Sequence, residues 1–228
     1  MISKLLSTVK LLASSLFCLL VVIFLTFSAA LAKPVDPAVE RLVSFIDRLQ
    51  TIDAEFNQQV EEADGHTPPL SRGRFSAKRP GLFRWDYTEP FEQMILSDGN
   101  SVYYYEIDLA QVTKTDAHLL EDTPAAFFVS DKPLSKTFSL TVVEDKIWKL
   151  PSVRMVPLKE GTVQEILLTL HPNKDEVLSL TLLDSLGNRS RFTFLKMRYN
   201  KAMEADRFQF LLPGGVDLID DVGNNQTN

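Results

Sequence analysis

The chain predicts a mainly β, antiparallel fold with a sparse helical cover, on three observations. From Ile52 onward, apolar and polar residues alternate with a period of two, the repeat of a half-buried strand. Turn-forming clusters punctuate those runs at the short intervals expected of strand connections. Helical patterns are confined to one N-terminal and one mid-chain stretch, too few for alternating βαβ units and a parallel sheet. Roughly ten strands are expected, in a curved sheet or barrel. Its apolar inner face must meet another sheet, close on itself or lie under helices.

The elements follow in order. Residues 1–32 carry Lys4 and Lys10, an apolar run from Leu11 to Phe27, and Ser28-Ala29-Ala30-Leu31-Ala32. A charged start, an apolar core and an Ala-x-Ala ending describe a secretory signal peptide cleaved after Ala32. The apolar run reaches the lower limit of a membrane span, and the small-residue ending decides against an anchor. The lone cysteine, Cys18, lies inside this run behind Phe17, so the mature chain has no thiol and relies on a hydrophobic core.

Asp36–Thr51 reads as a helix with Val39, Leu42, Val43, Phe45, Ile46 and Leu49 on one stripe. Asp36 is placed to cap it, with Pro37 at its first position. Strands follow through Ile52–Val60, Gly73–Ala77, Leu82–Tyr87, Met94–Ser97 and Val102–Tyr105. Asp98-Gly99-Asn100-Ser101 joins the last two as a hairpin. Ala110–Thr115 is one more. Thr123-Pro124 opens a short helix and Pro133 a second. Short strands at Thr141–Val143 and Val153–Val156 precede a meander with Ile166, Leu168 and Leu170, then Leu178, Leu180 and Leu182, then Phe192 and Phe194 on shared faces. Phe208–Leu211 is expected to be the last strand. Residues 33–222 form one domain, and 223–228 a polar tail.

Charge narrows the function. The chain carries 24 basic and 30 acidic residues, a net of −6. Without the two leader lysines it is −8. That disfavours binding to nucleic acid or to an anionic membrane surface. His66, His118 and His171 have no second histidine or cysteine at metal-ligand spacing. No nucleophile elbow, dinucleotide fingerprint or phosphate loop is present. Neither a catalytic residue, a metal nor a cofactor is expected. What stands out is aromatic: 15 Phe, 5 Tyr and 2 Trp. Phe83, Trp85 and Tyr87 share one strand face, and Tyr103 to Tyr105 and Phe127-Phe128 follow. Two readings are open, ordinary core packing or the lining of a cavity for an apolar ligand.

The stretch Gly73-Arg74-Phe75-Ser76-Ala77-Lys78-Arg79-Pro80-Gly81-Leu82-Phe83-Arg84-Trp85-Asp86-Tyr87-Thr88-Glu89-Pro90 resembles the signature of the outer-membrane lipoprotein carrier family, LolA. The resemblance continues through Ser97-Asp98-Gly99, Asp108-Leu109-Ala110-Gln111-Val112, Thr123-Pro124-Ala125 and Asp131-Lys132-Pro133-Leu134. It ends at Asp206-Arg207-Phe208-Gln209-Phe210 and Pro213-Gly214-Gly215-Val216-Asp217. Glu106-Ile107-Asp108 departs from the family's more frequent Asp-Pro-Asp turn.

The resemblance implies an unclosed antiparallel β-barrel, or half-barrel, with short helices as a lid over a hydrophobic cavity. It implies a monomeric, non-enzymatic periplasmic chaperone. Such a protein takes acylated lipoproteins from an inner-membrane ABC-type releasing complex and hands them to an outer-membrane receptor lipoprotein. It also implies that Arg79 latches the lid by binding helix-end carbonyls, and that Phe83, Trp85 and Ile95 point into the cavity. Phe127 and Phe128 are expected as inward-facing lid residues. Without the resemblance, Arg79 reads as a solvated, dispensable turn arginine at a strand start. The alternatives are a related half-barrel that binds another lipid or senses envelope stress, and an exported hydrolase.

Overall fold

A computed structural model describes residues 35–117, 124–174 and 176–222. The leader, Cys18, His118, Thr123 and the tail at 223–228 lie outside the described residues. Among the described residues there are three α-helices and twelve strands. Helix α1 spans Pro37–Arg48, α2 Pro124–Val129 and α3 Leu134–Thr137. The strands are β1 Thr51–Glu61, β2 Ser71–Lys78, β3 Leu82–Glu89, β4 Gln93–Asp98, β5 Ser101–Glu106 and β6 Gln111–Asp116. They continue with β7 Phe138–Glu144, β8 Pro151–Pro157, β9 Val163–Leu170, β10 Val177–Asp184, β11 Arg189–Tyr199 and β12 Asp217–Asp220.

All twelve form one sheet in the order β12-β6-β5-β4-β3-β2-β1-β11-β10-β9-β8-β7. Neighbours are mostly consecutive hairpins, as short connections favour. The long-range join is β1 with β11, which fuses the two meanders. The sheet is unclosed, with β12 and β7 at its edges.

Cross-strand register places the apolar residues on one face. Ala54 lies opposite Phe75, Phe75 opposite Trp85, Trp85 opposite Ile95, and Ile95 opposite Tyr104. The side-chain period of two then puts Ile52, Phe56, Ala77 and Phe83 on the same inner face. In β10 a register irregularity between Val177 and Ser179 shifts the phase. Val177 is therefore buried where Leu178 was expected.

Helix α1 covers part of that face. The Asp36 carboxylate accepts the Ala38 N–H at 2.9 Å, and Pro37 begins the helix. Val39, Leu42, Phe45 and Ile46 are buried, and the helix packs on β7 and β8. Arg41 donates to the carbonyl of His171 at 2.8 Å, tying α1 to the β9–β10 turn.

The expected last strand is also corrected. Phe208–Leu211 is not a strand. Ala205–Phe208 is a 3₁₀ turn, Phe208 is buried, and Phe210 stacks on Tyr103 with ring centroids 4.5 Å apart. The alternation of Phe208 and Phe210 reflects side-chain packing on the outer face, not backbone pairing. The last strand is instead β12, which pairs with β6 in parallel, while the other neighbouring strands pair antiparallel as expected.

Candidate functional site: an aromatic interior under two helix ends

The aromatic residues of the inner face meet in one cluster. Phe75 and Trp85 have ring centroids 4.7 Å apart. Phe56 lies 5.4 Å from Trp85 and 5.1 Å from Tyr87, and Phe192 lies 5.0 Å from Trp85. Most are tilted or edge-on, the arrangement that the ring quadrupole favours. Gly73 makes room for this. It sits opposite both Phe56 and Tyr87. A Cβ there would lie 1.9 Å from the Asp86 carbonyl oxygen and 2.9 Å from the Phe56 ring.

Helix α2 supplies the other side. It has six residues, too few to persist on backbone hydrogen bonds alone. Its buried side chains hold it in place. Phe128 lies 5.2 Å from Phe75 and 5.7 Å from Phe194, with Phe127 edge-on at 5.0 Å.

Arg79 stands where the two helices end. Its Nη1 donates to the carbonyl of Ile46 in α1 at 2.8 Å, and its Nε to the carbonyl of Phe128 in α2 at 3.0 Å. These are last-turn carbonyls, which lack the usual partner four residues on; that of Ile46 also accepts the cap Leu49 N–H at 3.1 Å. One planar guanidinium thus bridges two helix C-termini, where the macrodipole also favours a cation. Two backbone bonds hold the same corner. The Arg79 N–H donates to the Gln50 carbonyl at 2.9 Å, and the Gly81 N–H to that of Val129 at 3.1 Å. Gly81 has φ +74, which a side chain would resist. Burial lowers the Arg79 pKa, while Asp47 and Asp131 oppose the shift. The guanidinium remains charged, since an arginine is not deprotonated in practice.

Phe83, Trp85, Phe127 and Phe128 are therefore buried in one cluster, and Ile95 is partly buried against it. Arg79 abuts this cluster through Phe128. Sequence reasoning did not single out Phe56, Phe75, Phe192 and Phe194 as site residues, although their alternation was visible. The missing information was which strands are neighbours.

Polarity changes along β3. Phe83 and Trp85 are buried, whereas Tyr87 is partly exposed. The Tyr87 hydroxyl donates to Gln58 Oε1 at 2.8 Å, and burial pushes its pKa up. The interior is thus mainly apolar at the Arg79 end, where the one polar neighbour opposite Phe83, Ser97, has its hydroxyl engaged by the Gly99 N–H at 3.2 Å, and carries polar tips at the other.

Around β1, the outer face is polar. Asp53 is buried there and accepts from Arg74 at 2.9 and 2.7 Å, from Ser76 at 3.0 Å, and from Arg198. Burial alone would raise its pKa, but the hydrogen bonds from Arg74, Arg198 and Ser76 outweigh that and hold it well below the usual carboxylate range. A cavity of about 490 Å³ opens beside it, lined partly by Arg198, Lys201 and Arg207. This hub leaves no local signal, because one acid on a polar strand face reads as solvated charge.

Residues 47–211 match the model of the outer membrane lipoprotein carrier protein LolA family. An outer-membrane lipoprotein carrier protein of Methylococcus capsulatus is 34% identical over 186 residues, covering 79% of this chain and 86% of the relative. One from Pseudomonas aeruginosa is 34% identical over 199 residues, covering 86% and 94%. An uncharacterized conserved protein of Thermus thermophilus shares the fold. Its structure aligns with a TM-score of 0.50 at 12% identity, covering 81% of this chain and 99% of that one. On the family match and the two carrier relatives, the chain belongs to the outer-membrane lipoprotein carrier family, LolA.

Proposed function

We propose that the protein is a periplasmic chaperone that shields the acyl chains of lipoproteins and delivers them to the outer membrane, without catalysing a reaction. The observation that carries this is the aromatic interior held shut by Arg79 across two helix ends. Acyl chains in water are costly, and burying each methylene contributes about 0.8 kcal/mol. A carrier must also release its cargo. Two charge-assisted hydrogen bonds hold the cover with about 3 kcal/mol. Burying about four methylenes offsets that, so an acyl chain opens the cover and the closing cover helps to expel it.

In this reading Arg79 is the latch. Phe83, Trp85, Ile95, Phe127 and Phe128 contact the acyl chains once the helices part. The working protein is residues 33–222, secreted by a leader cleaved after Ala32, and it acts as a monomer. Its partners are an inner-membrane ABC-type releasing complex and an outer-membrane receptor lipoprotein. The test is depletion in the native host followed by membrane fractionation. Outer-membrane lipoproteins stranded at the inner membrane are expected; their normal distribution would overturn the reading.

A further inference from the structure

Buried polar groups in proteins nearly always have a partner; among the described residues four buried side-chain atoms lack one, on Trp85, Ser179, Thr181 and Arg191, and of these residues only Trp85 belongs to the apolar cluster. The indole Nε1 of Trp85 is buried and has no hydrogen-bond acceptor among the described residues. Trp85 is 4% exposed and is ringed by Phe56, Phe75 and Phe192. A phenylalanine would fill much of this space without an orphaned donor, and leaving such a donor unpaired is costly. The neighbouring Tyr87 hydroxyl, by contrast, is satisfied by Gln58.

We infer that Trp85 is the residue that recognises the linkage of a bound acyl chain, its indole N–H donating to the ester carbonyl that joins the chain to glycerol. This rests on the carrier reading above and specifies its ligand. A hydrocarbon tail offers no acceptor along its length; the carbonyl at its base does. The polarity along β3 fits this polar linkage. Trp85 lies between Phe83, beneath the latch, and Tyr87, at the polar-tipped end. A carbonyl at Trp85 therefore directs the methylenes toward Phe83 and Phe128 and the headgroup toward Tyr87 and Gln58. The cover and the linkage contact are then separate: Arg79 governs access, and Trp85 sets which lipid is preferred.

The experiment uses the mature chain and two chain-matched probes, a diacylglycerol and the dialkyl ether that lacks both carbonyls. Each displaces an apolar fluorescent dye. The wild type is expected to favour the ester by roughly fivefold. In Trp85→Phe the ester-to-ether ratio falls to about one, whatever the absolute affinities. Should that variant misfold, the wild type still decides. It has two tryptophans, and Trp148→Phe assigns their indole N–H resonances. The Trp85 resonance should move downfield with the ester and not with the ether. Equal wild-type affinities, an unchanged ratio in Trp85→Phe, or identical resonance positions with both lipids would each overturn the proposal and leave the carrier reading intact. Failure of both lipids to displace the dye would overturn both.

Discussion

Arg79→Ala removes a side chain that joins the C-termini of α1 and α2. The wild-type residue makes two hydrogen bonds from a charged donor, at 2.8 and 3.0 Å. Such bonds contribute about 1.5–3 kcal/mol each, and the lower figure suits a half-buried guanidinium. The Ile46 carbonyl keeps the Leu49 N–H at 3.1 Å, so part of the corner survives. A loss of about 3 kcal/mol raises the open-to-closed ratio about 100-fold. An apolar ligand that binds only the open form then gains apparent affinity by up to that factor, until the open form dominates. Titration with an apolar fluorescent dye reads this directly, and a tenfold or greater gain is expected from the same arithmetic. Hydrogen exchange gives a second readout, because the Gly81 N–H bonds to the Val129 carbonyl across the same corner and should lose protection. Arg79→Lys should fall between, since an ammonium keeps the charge but cannot reproduce the rigid fork. Unchanged dye affinity together with unchanged Gly81 protection, in a variant with native circular dichroism, would refute the latch.

Three further outcomes are expected. Phe83→Glu places a carboxylate in the apolar cluster and should cost more than about 3 kcal/mol in chemical denaturation, with loss of dye binding; a stable variant that still binds dye would show that Phe83 does not face the interior. Gly73→Ala should cost about 3 kcal/mol or more, because its Cβ meets the Asp86 carbonyl at 1.9 Å; a shift in midpoint below a tenth of that cost would contradict the close approach. Asp53→Asn should cost about 2 kcal/mol at neutral pH, the partners' exposure tempering the loss of a buried ion pair. The folded carboxyl has a depressed pKa, held down against burial by Arg74, Arg198 and Ser76. Its contribution is thus complete above the unfolded value of about 3.9 and fades as pH falls below it toward the folded value. Denaturation at neutral pH and again below the unfolded carboxyl value should show the gap to wild type shrinking in acid, and an equal gap would count against the hub.

Much of the inner face was legible because its signal is local. Alternation fixed the phase of β3, so Phe83 and Trp85 had to share a face whatever lay opposite. The cap of α1 was equally local, requiring only Asp36, Pro37 and the following apolar stripe. The corrections arise where local rules have no purchase. Phe208 and Phe210 alternate like a strand, yet one is held by a 3₁₀ turn and the other by stacking on Tyr103. Strand β12 has four exposed residues and owes its place to β6, a partner about a hundred residues earlier. Asp53 looked like a solvated acid until β2 and β11 brought arginines to it from both sides.

The amino-acid order by itself determined the strand phases, the sparse helices, the apolar face and the family pattern, because periodicity, caps and turns are properties of neighbouring residues. Only the tertiary structure decided what that face meets. Pairing β1 with β11 joins two meanders into one sheet, on which Phe56 and Phe192 both meet Trp85. Seating Phe128 on Phe75 then places a helix end within reach of Arg79. An arginine in a Pro-Gly turn becomes a latch only when two distant carbonyls converge on it, and that convergence is set by packing across the whole fold.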